Sequence, residues 1–222
     1  MRIPVQLWVR LKVIDLVTQT ARMTLSEKLN FAGVLRGMTH YWYWGMDAEG
    51  PSAGAVIEEI DRVIRLDGAF TNQNKHLYRL TAGGGAVRGD LALEKDFMTS
   101  GSTSAGRGSS GRGTSALGAG TSLFAFDCLI REKLRSREVG FEERLNGRLK
   151  GASVSGMKYG EVWRLIVSAS SREAALADVE RMLVSRSRRE GLLLNPHYQA
   201  YEIIAATRVE EPGSAAGAGS KE

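Results

Sequence analysis

The chain of 222 residues has a single cysteine, four prolines and three histidines, and it carries no long uninterrupted apolar run. Each shortage closes off a class of protein. One cysteine cannot form an internal disulfide, and Cys128, inside the apolar stretch LFAFDCLI, reads as a small buried hydrophobe. His40, His76 and His197 are scattered without HExxH, CxxC or any other ligand spacing, so no metal site is expected. A membrane helix needs ~20 apolar residues in succession. Nothing here approaches that, and Arg2, Arg10 and Lys12 break up the N-terminal apolar stretch that a signal peptide would need, so a cytoplasmic protein without membrane contact is expected. A concentrated basic surface is missing too. The formal charge of +5 is spread as +2 over residues 1–80, +1 over 81–122 and +2 over 123–222. A phosphate-tracking protein would gather Lys and Arg on one stripe, so nucleic acid is an improbable partner.

What is present begins with a segment that cannot build a core. Residues 99–122 hold 7 Gly, 7 Ser and 4 Thr, 18 of 24 positions, the composition of a flexible linker. Its glycines do not fit GxxxxGK[ST], which excludes a phosphate loop. The composition divides the chain into a first repeat over 1–82, a Gly/Ser-rich linker over 83–122, a second repeat over 123–206 and a disordered tail over 207–222.

The flanking segments align with each other from end to end. Glu27-Lys28-Leu29-Asn30 matches Glu143-Arg144-Leu145-Asn146, Gly37-Met38 matches Gly156-Met157, and AVIEEIDRVI (55–64) matches AALADVERML (174–183). Asn72 and Tyr78 stand six apart, as Asn195 and Tyr201 do, and the alignment sets Trp42 against Trp163. Five blocks in one order indicate an internal repeat, the first thing to seek in a sequence.

Within each repeat the apolar period switches between two and 3.6. Val5, Leu7, Val9, Leu11 and Val13 alternate as a half-buried strand does, with Leu123–Ile130 as the counterpart. Thr24-Leu25-Ser26-Glu27 opens a short helix as a capping box, and Phe141, Leu145 and Leu149 form one helical stripe. Tyr159-Gly160 supplies the turn of a hairpin in which Trp163, Leu165 and Val167 share a face. A second helix carries Val56, Ile57, Ile60, Val63 and Ile64, or Ala175, Leu176, Val179, Met182 and Leu183, and Ser170-Ser171-Arg172-Glu173 caps the latter. Final strands run from Leu77 to Leu80 and from Gln199 to Ile204. The order strand, helix, strand, strand, helix, strand predicts an α+β fold of two ferredoxin-like (βαββαβ) repeats with antiparallel sheets. Their uncovered faces, with Tyr41 and Tyr43 in one repeat and Val162, Arg164 and Ile166 in the other, are too apolar for water. Face-to-face burial as a pseudo-dimer, or as part of a larger homo-oligomer, is the expected solution.

Reactive constellations are sparse. No nucleophile elbow, paired-carboxylate motif or kinase-type loop is present, and His197 is the best lone acid/base candidate, set against the simpler reading of a turn histidine. The run Tyr41-Trp42-Tyr43-Trp44 suits core and interface packing, with Trp42 and Trp44 toward the helices, better than base stacking.

The second repeat resembles the small PurS subunit of phosphoribosylformylglycinamidine synthase over nearly all of 123–204. The family hairpin reads roughly V-x-x-V-R-x-G-K-x-x-x-L, and Val154, Lys158, Gly160 and Leu165 fall on it, with Met157 for the second Val and Glu161 in place of Lys. The closing Asn-Pro six residues before a Tyr is matched by Asn195, Pro196 and Tyr201. The first repeat keeps Asn72 and Tyr78, with Gln73 where Pro is usual. The resemblance implies a scaffold without catalytic residues or a cofactor. It would bridge a large ATP-using synthetase subunit and a glutaminase subunit in de novo purine biosynthesis, where formylglycinamide ribonucleotide is converted to its amidine. Exposed loops usually carry recognition, which points to Lys158, Tyr159, Gly160, Asn195, Pro196 and His197 as partner contacts. The rival readings are a regulatory module that binds a small molecule between paired ferredoxin-like domains, and an RNA-binding protein that uses its open sheet faces.

Overall fold

A computed structural model describes residues 1–83, 85–93, 120–134, 136–187 and 191–209. In chain order the elements are β1 (Arg2–Leu11), α1 (Leu16–Met23), β2 (Leu35–Glu49), α2 (Ala53–Leu66), β3 (His76–Ala82), β4 (Ala86–Arg88), β5 (Ser122–Glu132), α3 (Ser136–Asn146), β6 (Ser153–Ala169), α4 (Arg172–Leu183) and β7 (Gln199–Val209). The strands form a single antiparallel sheet in the order β4-β3-β1-β2-β6-β5-β7, with the helices on one face.

The expected hairpins are absent. β6 runs unbroken through Tyr159 and Gly160, and β2 runs unbroken through 35–49. Gly160 serves close strand approach instead of a turn, because a Cβ there would lie 2.3 Å from the Ile130 carbonyl oxygen of β5. The residue that needs glycine for its backbone is Gly156 (φ 62°). There β6 bulges, so that Gly156 and Met157 together oppose Met46 of β2.

The two long strands also decide how the halves join. The expected face-to-face pseudo-dimer is replaced by edge-to-edge pairing of β2 with β6 over almost their full length. Trp42–Glu49 pairs with β1 on its other side, and the 161–169 end of β6 pairs with β5. Each half of the sheet is therefore completed by one end of the other half's long strand. Helices follow the same exchange. Leu145 of α3, with Val154 and Met157 of β6, is buried in the core of β1, β3 and α2, while Ala21, Leu25, Phe31, Leu35 and Met38 are buried in the core of β5, β6 and α4. Polar contacts lock the crossing: Glu59 of α2 accepts the Lys150 and Gly151 amides, and buried Asp67 at the end of α2 accepts Arg144 Nε of α3 at 2.5 Å.

Matching contacts recur in the two halves. The Tyr78 hydroxyl donates to Asp61 of α2 at 2.6 Å, and the Tyr201 hydroxyl donates to Glu180 of α4 at 2.9 Å. Asn72 and Asn195 each accept the amide two residues on, at 3.0 Å, in equivalent Asx turns. Lys12 Nζ and Lys133 Nζ donate to the carbonyls of Gln73 and Pro196. Register corrects one equivalence. Leu7 faces Trp44 and Cys128 faces Trp163, whereas Val9 faces Trp42 and Ile130 faces Glu161. Trp44, not Trp42, is thus the counterpart of Trp163, because without a hairpin turn the long strands align from Gly37 and Gly156 with no gap.

α1 also begins earlier than the sequence suggests. Asp15 caps it by accepting the Val17 amide, and Thr24–Lys28 is a π-helical turn that continues the helix, with the Thr24 hydroxyl spent on the Thr20 carbonyl. The N-cap of α4 is Ser171. On the helix-free face the expected Tyr41, Tyr43 and Val162 cluster with Trp8 and Leu129, and Leu91 from the segment after β4 packs against them. That segment belongs to the stretch read as linker; residues 94–119, most of the Gly/Ser-rich run, lie outside the described residues, as do 210–222 of the tail. No helix among the described residues is long and apolar enough to cross a membrane.

Candidate functional site

The pair Trp42 and Glu161 stands at the centre of the β2–β6 ladder, where the two halves meet. Alternation along the strands places His40, Trp42 and Trp44 of β2 and Tyr159, Glu161 and Trp163 of β6 on the helix side of this seam. The connections from β1 to α1 and from β5 to α3 cross over it, carrying Asp15 and Arg137 to the same carboxylate, since Glu161 interacts with both.

His40 is the hub. Its ring is 8% exposed, stacks on Trp163 at 4.5 Å and meets the edge of Trp42 at 5.4 Å. Nδ1 lies 3.2 Å from Asp15 Oδ2 and Nε2 lies 3.5 Å from Glu161 Oε2, so one imidazole joins carboxylates of both halves. Burial would raise the Asp15 pKa, but hydrogen bonds from Thr18, the charge of His40 and the amides of Thr18 and Val17 outweigh it and hold the carboxyl below its ordinary value. Glu161 is likewise held low, by its hydrogen bond to His40 first, against a smaller opposing effect of burial. The arrangement ties the two halves together across the seam. No nucleophile completes it, and among the described residues no group of His, Cys, Asp and Glu could hold a metal ion.

Beside the hub a cavity of about 50 Å³ is lined by the polar groups of Glu132, Arg137, Glu138, Tyr159, Glu161 and Gln199, with Ile130, Leu134 and Gly160 completing the wall. It shares Glu132, Leu134 and Gln199 with an open groove of about 630 Å³ that runs to Asn195, His197 and Tyr198. Two of the expected contact regions, Tyr159-Gly160 and Asn195-His197, are therefore brought to adjoining parts of one surface. Asn195, Pro196 and His197 form the exposed turn before β7, and His197 donates its amide to Asn195 with no acid/base partner described at its ring. Tyr159 and Gly160 are not an exposed loop. Tyr159 packs on Trp44 and Phe141 at 5.1 and 4.9 Å, and Gly160 is buried in mid-strand. Lys158 points to the other sheet face, 3.8 Å from Glu202.

That other face holds a second polar feature. Arg164 reaches both oxygens of Asp127, at 2.6 and 2.7 Å, donates to the Leu93 carbonyl at 2.7 Å and lies over the Tyr41 ring. These bonds clamp the 85–93 segment to the sheet. Sequence reasoning missed Asp15, His40, Glu132, Arg137, Glu161 and Gln199 as a group, because they come from six separate segments of the chain and only the crossover gathers them. The available signal was Glu161, a charge in the middle of an apolar strand. Comparison with protein-family models, with curated proteins and with solved structures found no match.

Proposed function

We propose that the chain is an assembly subunit without a catalytic site of its own, built from two ferredoxin-like repeats that exchange a helix and a strand end. We further propose that it serves a glutamine-dependent amidotransferase of purine biosynthesis, bridging synthetase and glutaminase subunits. The observation that supports the reading is the exchange itself: Leu145 is buried in the first half's core and Leu25 in the second's, so the halves cannot separate without uncovering both cores. Small subunits of the family that the second repeat resembles work in pairs, and fusion makes the pairing intramolecular. The Asn195–His197 turn, held by its own Asx bond, presents a preformed contact surface beside the groove.

The test is affinity capture of the tagged chain from its own cell lysate with ATP and glutamine present, followed by glutamine-dependent turnover of formylglycinamide ribonucleotide with and without the chain. Co-capture of both subunits and a turnover that depends on the chain are expected. Recovery of the chain alone, or with RNA, overturns the purine assignment.

A further inference from the structure

The cavity beside His40 lies in the second half, and the matching position of the first half is occupied by packed rings. Register matches Ile130, Glu132, Glu161 and Gln199 of the second half to Val9, Leu11, Trp42 and His76 of the first, because Val9 faces Trp42 as Ile130 faces Glu161, and Leu11 faces His76 as Glu132 faces Gln199. In the first half the Trp42 indole packs on His76 at 5.3 Å beside Leu11. In the second half, three carboxylates and an amide surround an open space, with the Arg137 guanidinium interacting with the Tyr159 hydroxyl and Glu161. The fold can thus close this position with apolar groups and does so once, so folding alone does not demand the polar lining.

Glu138 also lines the cavity, its Oε1 3.8 Å from Arg131, so Glu132, Glu138, Glu161 and Arg137 are the charged groups that can face an occupant. One cation and three anions then line about 50 Å³, several times the ~10–15 Å³ that one bound water needs on the same measure. An occupant must bring both signs of charge on adjacent atoms. We infer that the cavity binds the head group of a free α-amino acid, its carboxylate on Arg137, its ammonium on Glu132 and Glu161, and its side chain leaving past Leu134 into the groove toward Tyr198. Gln199, whose side-chain oxygen accepts the Asn195 amide at 2.9 Å, ties the cavity to the exposed turn, so occupancy is felt at the contact surface.

The inference does not depend on which complex the chain serves. It is tested on the full chain by two-dimensional amide NMR, titrating glycine, L-leucine and L-glutamine alongside n-butylamine (ammonium only) and isovalerate (carboxylate only). Saturable shifts of the Gly160 and Gln199 amides are expected with at least one amino acid, with the two single-charge probes weaker by about tenfold or more, one charge-assisted hydrogen bond being lost in each. Arg137→Gln and Glu161→Gln should each weaken that amino acid by about 10- to 100-fold while the remaining amide spectrum keeps its folded dispersion. No shift with any of the three amino acids overturns the inference. So does n-butylamine binding as tightly as the amino acids, or full binding retained in both variants.

Discussion

Asp67 offers the sharpest test of the exchanged architecture, because it holds a helix of one half to a helix of the other. Its side chain is 1% exposed, accepts Arg144 Nε at 2.5 Å and the Ala69 amide at 3.0 Å, and lies 3.5 Å from Arg148. Burial opposes its ionisation, but the bonds from Arg144 and Ala69 and the charges of Arg144 and Arg148 prevail and hold its pKa below the ordinary value. Asp67→Asn keeps the size and an acceptor for Ala69 and removes the charge. A hydrogen bond to a charged group is worth ~1.5–3 kcal/mol. Both arginines are about half exposed, so the lower part of that range, about 2 kcal/mol, is expected. For a chain of this size that lowers Tm by about 4–8 °C. The effect also depends on pH. A carboxyl with a depressed folded pKa adds stability that is complete above the unfolded value, ~3.9, and disappears as pH falls through the folded one. The gap between parent and variant in urea unfolding should therefore be constant from pH 7 to 5 and shrink below pH 4. In a double-mutant cycle with Arg144→Ala, a favourable coupling clearly above zero is expected. A gap that persists unchanged at pH 3, or coupling near zero, refutes the claim that this ion pair joins the halves.

The paired tyrosines should respond unequally: Tyr78→Phe takes the donor from Oδ1 of buried Asp61, whose Oδ2 keeps Arg65 at 2.8 Å, and should cost about 1–2 kcal/mol, whereas Tyr201→Phe, beside the more accessible Glu180, should cost under about 1 kcal/mol, both read by urea unfolding. Two glycines should give opposite signs in the same assay. Gly160→Ala drives a methyl into the Ile130 carbonyl and should destabilise by ~1–3 kcal/mol, while Gly140→Ala, in α3 with open space around it, should stabilise by ~0.5–1 kcal/mol. Cys128 is fully buried and its thiol is pushed up, first by burial and then by Asp127, so a disulfide reagent at pH 8 should label it only at the rate of unfolding. Prompt labelling of the native chain would contradict the packing of β5.

Local rules made much of this protein legible in its residues. The alternation in β1 and β5, the apolar stripes of α2 and α4, the Asx turns at Asn72 and Asn195 and the inward Trp44 all follow from periods of 2 and 3.6 and from side chains that bond their own backbone. The matching contacts of the two halves, Tyr78 with Asp61 and Tyr201 with Glu180 among them, come from the same residue types spent on the same local tasks.

Tertiary structure decided what local rules leave open. Tyr159-Gly160 has turn chemistry, yet it lies in a continuous strand because β2 offers a full-length antiparallel partner whose hydrogen bonds a hairpin would forfeit. The same long ladder chose edge pairing over face pairing, sent α1 and α3 across to the opposite cores, and displaced the apparent match of Trp42 to Trp44. It also assembled Asp15, His40, Arg137 and Glu161 from residues far apart in the chain. Sequence determined which residues go inward. Only the joining of two sheet edges, a long-range choice set by the energy of the whole ladder, decided which half's interior they enter and what they meet there.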